Sequence, residues 1–495
     1  MTRLACFAVA SLVLGCHAGR SAVGPAEAEA EQAAVARGWH YTAAVSDDLQ
    51  RIDVQVCFSG PPGGRLVATN PRAADYVGHV RHGDGERIAM TSRSFSLEDV
   101  SGGDCVDYAV DLAAMTHAEG FSRHVQSEGD SLLLRQSMWL WHPDDVPRDV
   151  PVTMTLRLPE GVEASVPWVL QPGEDRSART TRYRLDSTAF AWVGYNAFGN
   201  LGLQRFEAAG TDIEVATLDR PMRVSGEGLR AWATDAAEAS ALLFGTYPRE
   251  HLQMLVLPVE SGGGTVYFGM AGRGGGSGVY ILMDTDVDGD ALLGGLTTTH
   301  ELLHHGMPFI HEAWMAEGWV SYYTELQRTR QGHRDERAGW QKLYDAFGRG
   351  ARTRRSGTLA QVSADMHRNF GYQRVYWGGA AVAFFTDLAL RADSGGEVTL
   401  DDAMIELRRC CGDARHMWDA QVLLEKLDAW YGKPLFTQTA APLLAAEGFP
   451  EVEPAMATLG IRVVDGRVIL DDDHPRAAMR RDLMAPRPTP QDLAP

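Results

Sequence analysis

The sequence predicts an α+β multidomain protein. A β-sandwich-like domain spans residues 39–220, and a mixed sheet with mainly helical structure follows over 221–450. Three observations carry this reading. Apolar and polar residues alternate through the first region. From Pro221 the alternation gives way to a helical period. The second region then carries His300-Glu301-Leu302-Leu303-His304, a helix-borne motif. At 495 residues the chain is long enough for roughly two or three domains. Lys and Arg number 46 against 65 Asp and Glu, a net charge of −19, with no basic tract. That balance excludes nucleic acid as a partner.

Residues 1–16 read as an export signal. Arg3 supplies a short positive start, and Leu4 to Leu14 is an apolar run too short to span a bilayer. Val13-Leu14-Gly15-Cys16 resembles a bacterial lipobox, in which Cys16 becomes the lipidated first residue of the mature chain. The expected location is the bacterial cell envelope, lipid-anchored to a membrane and facing periplasm or surface. No other apolar run approaches membrane-spanning length. Residues 17–38 are rich in Ala, Glu and Gly and read as a tether. The cysteines fit export: Cys57 and Cys105 form a plausible disulfide in an oxidising compartment. Adjacent Cys410 and Cys411 read as two buried thiols, with a strained vicinal bond as the alternative.

Within 39–220, Ile52, Val54, Val56 and Phe58 alternate with Asp53, Gln55 and Cys57, and Val152, Met154, Leu156 and Leu158 do the same. Period two over such runs means strands with one buried face. No residue here invites a catalytic role, and the domain is expected to shape one wall of a cleft. After Pro221 a helix is predicted over Leu229 to Leu243, with Gly245 as its cap. Strands follow at His251 to Val259 and Thr265 to Met270. Glycines cluster at 262–264 and 272–278, where a loop bordering the site and a flexible surface loop are equally open readings. Val279 to Met283 is expected at a sheet edge, where an extended peptide can add as a strand.

His300 and His304, one turn apart, share a helix face and can hold one Zn²⁺, with Glu301 as general base. Such a site needs a third protein ligand. Gly306 and Pro308 break the chain, so a second helix starting near Trp314 can fold back and deliver Glu317. His311 is the rival ligand, in a metzincin-like arrangement, although the metzincin spacing would place that histidine at 310, where Ile310 stands.

The pairing of H-E-x-x-H with Trp314, Glu317, Gly318, Tyr322 and Tyr323 resembles the gluzincin metallopeptidases. These include the glycyl aminopeptidase-like family and its relatives, the aminopeptidase N-like enzymes. The spacer from His305 to Ala316 is twelve residues, shorter than in the aminopeptidase N-like enzymes. The resemblance implies a thermolysin-like catalytic domain and a peptide or protein substrate. It also implies a tyrosine that donates to the oxyanion, matched by Tyr376 at the start of a helix over 372–391. Trp377-Gly378-Gly379 replaces the family's E-K-G there. The family's glycine segment carries a glutamate for the substrate's free amine. Here the glycines are present without it, and Glu260 is a weak substitute.

Residues 451–470 predict a hairpin turning at Asp465-Gly466, and 471–495 a disordered tail. The expected function is a zinc-dependent peptidase. The alternative is a catalytically degenerate peptidase-fold lipoprotein that binds peptides or a partner protein.

Overall fold

The computed structural model describes residues 38–118, 124–263, 265–353 and 355–487. The export signal, Cys16, nearly all of the tether and the last residues of the tail lie outside the described residues.

The N-terminal region builds three sheets, of seven, four and four strands. Arg51–Phe58 shows why: its burial alternates strictly, with Ile52, Val54, Val56 and Phe58 inside. It pairs antiparallel with Cys105–Asp111, and the register sets Cys57 opposite Cys105, where the two form a disulfide. Cys410 and Cys411 are likewise bonded to each other rather than held as free thiols.

The next sheet has five strands in the order Gly202–Ala208, Thr211–Thr217, His251–Val259, Gly278–Asp284, Val266–Gly272. Its first two strands lie within the region expected to be sandwich, and they join this sheet instead. Thr211–Thr217 runs parallel to His251–Val259 and is buried almost end to end. That burial suits a strand covered on both faces. A second correction concerns the edge. Gly278–Asp284 lies between two partners, parallel to His251–Val259 and antiparallel to Val266–Gly272. The latter strand folds back and takes the edge itself.

One face of this sheet packs on the helix Gly226–Phe244 and on Leu302 of the motif helix, around Ile213, Trp232, Met254 and Ile281. Gly245 closes that helix at φ +84°. The other face meets the N-terminal region through an apolar layer of Leu133, Ala197, Ala216, Leu218, Leu255 and Leu257. Beyond the sheet, helices pack around Trp319, Trp340, Phe347 and Phe384. The hairpin forms from Ile461–Val464 and Arg467–Leu470. The segment after it is ordered as far as a helix, Ala477–Met484. There Arg480 is fully buried and donates to Glu336 at 2.7 Å and to the Asp471 carbonyl at 2.8 Å. The count of charges in the tail misses this, because one arginine with enough acceptors can anchor an otherwise polar helix.

Candidate active site

The motif helix spans Leu296–His304 and the second helix Ala313–Arg330. Between them Phe309–Ile310 pairs with Met417–Trp418, which fixes the short connection. The second helix thus runs back across the first and delivers Glu317. Its Oε2 lies 3.1 Å from His300 Nε2 and 3.4 Å from His304 Nε2, and the two imidazole nitrogens are 3.2 Å apart.

A second contact fixes what these nitrogens can do. Thr324, one helix turn after Val320, donates its hydroxyl proton to the Val320 carbonyl at 2.8 Å. Its oxygen is left to accept from His300 Nδ1 at 3.4 Å. His300 Nε2 is then a lone pair aimed at a second imidazole and a carboxylate oxygen. Three electron-rich atoms converging this closely suit a cation, and two imidazoles with one carboxylate are a zinc donor set. Among the described residues, these three form the one cluster of metal-ligating side chains. His311 does not join it. Its ring is half-exposed and points to Asp419, 4.0 Å away.

Glu301 reaches toward the edge strand Val266–Gly272. Its Oε2 accepts from the Ala271 amide at 2.8 Å. Gly269 makes room for it, since a Cβ there would stand 2.6 Å from Glu301 Cγ. Burial pushes the Glu301 carboxyl up, against the pull of His300. A carboxylate so desolvated is a stronger base than one in water.

Tyr376 lies in the helix Tyr372–Ser394. Its ring stacks on His300 with centroids 5.8 Å apart. Burial and the nearby Glu317 carboxylate push its phenol up, so it keeps its proton. What brings it here is a glycine contact. A Cβ on Gly318 would meet Gly379 Cα at 2.4 Å, and one on Gly379 would meet the Trp314 carbonyl at 1.7 Å. The two helices therefore cross backbone to backbone. Gly379 keeps the glycine of the E-K-G pattern, and this crossing is its physical reason; the departures are Trp377 and Gly378.

The 272–278 glycines are not a flexible surface loop. They are buried against the N-terminal region: Arg273 and Gly274 donate their amides to the Val193 carbonyl, each at 2.9 Å, and Gly275 donates to Thr188 Oγ1 at 3.0 Å. A Cβ on Gly276 would fall 1.8 Å from the Pro167 carbonyl. Sequence reasoning also missed Arg273, buried beside them, whose guanidinium donates to the His304 carbonyl. Glu260 does not serve the site. Its carboxylate is exposed and pairs with Arg220 at 3.2 Å.

No family model matches this sequence, and no curated protein does. Solved structures do. An aminopeptidase N family protein from Idiomarina loihiensis superposes with a TM-score of 0.65 at 15% identity, covering 88% of this chain and 82% of that one. The chain has the fold of the M1 aminopeptidase N family. An M1 zinc metallopeptidase from Deinococcus radiodurans gives 0.53 at 14% identity, over 84% of this chain and 94% of that one. Native yeast LTA4 hydrolase gives 0.54 at 13% identity, over 86% and 70%. The M1 fold thus spans both the N-terminal sheets and the helical region of this chain.

Proposed function

We propose that this chain is an exported zinc-dependent peptidase that hydrolyses peptide bonds. The observation that carries the proposal is the convergence of His300, His304 and Glu317 beside a buried Glu301. A structural neighbour from Deinococcus radiodurans was solved with a Tyr-Ser-Ala substrate, which supports a peptide as the ligand class.

The three ligating residues would hold zinc. When bound, the metal supplies a Lewis acid that acidifies water and polarises a carbonyl. Glu301, within reach of both the edge strand and the metal site, takes the proton from the attacking water and passes it to the leaving amine. The Tyr376 phenol donates to the oxygen that gains charge. The unpaired edge of Val266–Gly272 offers backbone groups to an extended substrate. That strand carries no carboxylate for a free substrate amine. Glu301 and Glu317 are the acids at hand, and internal cleavage therefore fits as well as removal of a terminal residue.

The test is a diverse peptide pool, half with free and half with acetylated N-termini, read by mass spectrometry beside Glu301→Gln. Cleavage of both halves assigns an endopeptidase, and cleavage confined to free termini assigns an aminopeptidase. No cleavage beyond the Glu301→Gln control sinks the peptidase reading and leaves a peptide-binding lipoprotein. Membrane attachment through Cys16 belongs to the same proposal. Metabolic labelling with a fatty-acid analogue should mark the wild type and not Cys16→Ser.

A further inference from the structure

A cavity of about 400 Å³ opens between the N-terminal region and the catalytic domain. Arg184, Asp186 and Thr188 line it from one side, and Arg249, His251 and Arg273 from the other. None of His300, Glu301, His304, Glu317 and Tyr376 lines it.

Its charges are unevenly matched. Arg184 pairs with Glu250 at the rim, 3.6 Å away, and both are exposed. Asp186 is engaged by Thr188, whose amide and hydroxyl both donate to it. Arg249 and Arg273 have no such partner. Arg249 donates to the Gly412 carbonyl at 3.2 Å, and Arg273 to the His304 carbonyl. Among the described residues neither makes an ion pair, and Asp186 and Asp413 act on Arg249 only at longer range. Arg273 is 7% exposed, and its Nη1 is buried without a hydrogen-bond partner.

A buried guanidinium and a half-buried one lining one cavity want a counter-charge. We propose that this cavity binds a small oxyanion of the phosphate or carboxylate class, held by Arg249 and Arg273. The planar guanidinium fork matches such anions bidentately. The bound anion would tie the two regions together. Through Arg273 it would also steady the C-terminal end of the motif helix. None of this depends on a metal being bound.

The experiment is calorimetric titration of the intact protein at constant ionic strength, in one arm with inorganic phosphate and in the other with malonate. Saturable binding is expected in at least one arm, and the tighter arm identifies the class. Arg249→Gln should weaken it by at least about tenfold, and Arg249→Lys by less. Exposed, remote Arg462→Gln should leave it unchanged. No saturation in either arm overturns the proposal, as does equal binding by Arg249→Gln. Should Arg249→Gln fail to fold, hydrogen exchange on the wild type decides. Phosphate or malonate must slow exchange in peptides covering 247–253 and 272–278, and protection only elsewhere overturns the proposal.

Discussion

His300, Glu301 and His304 can be read from sequence because a helix fixes their relation locally, with no tertiary information needed. Thr324 cannot, since its use to His300 depends on a crossing of two helices. Each residue carries a separate expectation. Glu301→Gln should keep zinc, measured by elemental analysis, and lose activity by roughly 10²–10⁴-fold. Retained turnover would mean another base. Tyr376→Phe should cut kcat by on the order of 10²–10³-fold, with the unfolding midpoint little changed. Thr324→Val should weaken zinc affinity or activity by roughly 10–100-fold, because His300 loses the acceptor that fixes its tautomer. A competition titration with a chelator reads that loss directly.

At the scale of elements, the strands with one buried face and the long helices follow from their periodicity, and these are the parts the sequence predicts well. It misplaces the strands at 202–217 and the sheet edge, for one reason. Thr211–Thr217 and Gly278–Asp284 are buried on both faces and have no alternation to mark which sheet they join, Gly202–Ala208 follows its hairpin partner, and pairing order is set by partners distant in the chain. The contact between Ala313–Arg330 and Tyr372–Ser394 is also silent in sequence until both glycines are seen face to face. Gly379→Ala should force these helices apart and cost about 1–3 kcal/mol in a urea melt. It should also lower kcat, since Tyr376 rides on the displaced helix. Farther along the second helix, Arg330 and Asp401 form a buried pair at 3.0 Å, with Tyr323 donating to the same carboxylate at 2.8 Å. Asp401→Asn strips one partner from a buried charge and should cost roughly 3–5 kcal/mol. A melt within experimental error of the wild type would show that the guanidinium finds another acceptor.

On the scale of the whole molecule, the N-terminal region and the five-stranded sheet share an apolar layer and a run of backbone hydrogen bonds. The sequence announces both regions by their change of period. It does not announce that glycines 272–278 join them, because clustered glycine reads equally as looseness or as close approach. The structure decides for close approach. A chain with two lobes around a cleft commonly opens and shuts on a pivot, and glycines are where a pivot is sought. Here those glycines are wedged under Pro167 and Val193 and leave no swing. The two regions are therefore expected to move as one body when a peptide binds. Small-angle scattering should accordingly give the same radius of gyration with and without a bound peptide-like inhibitor.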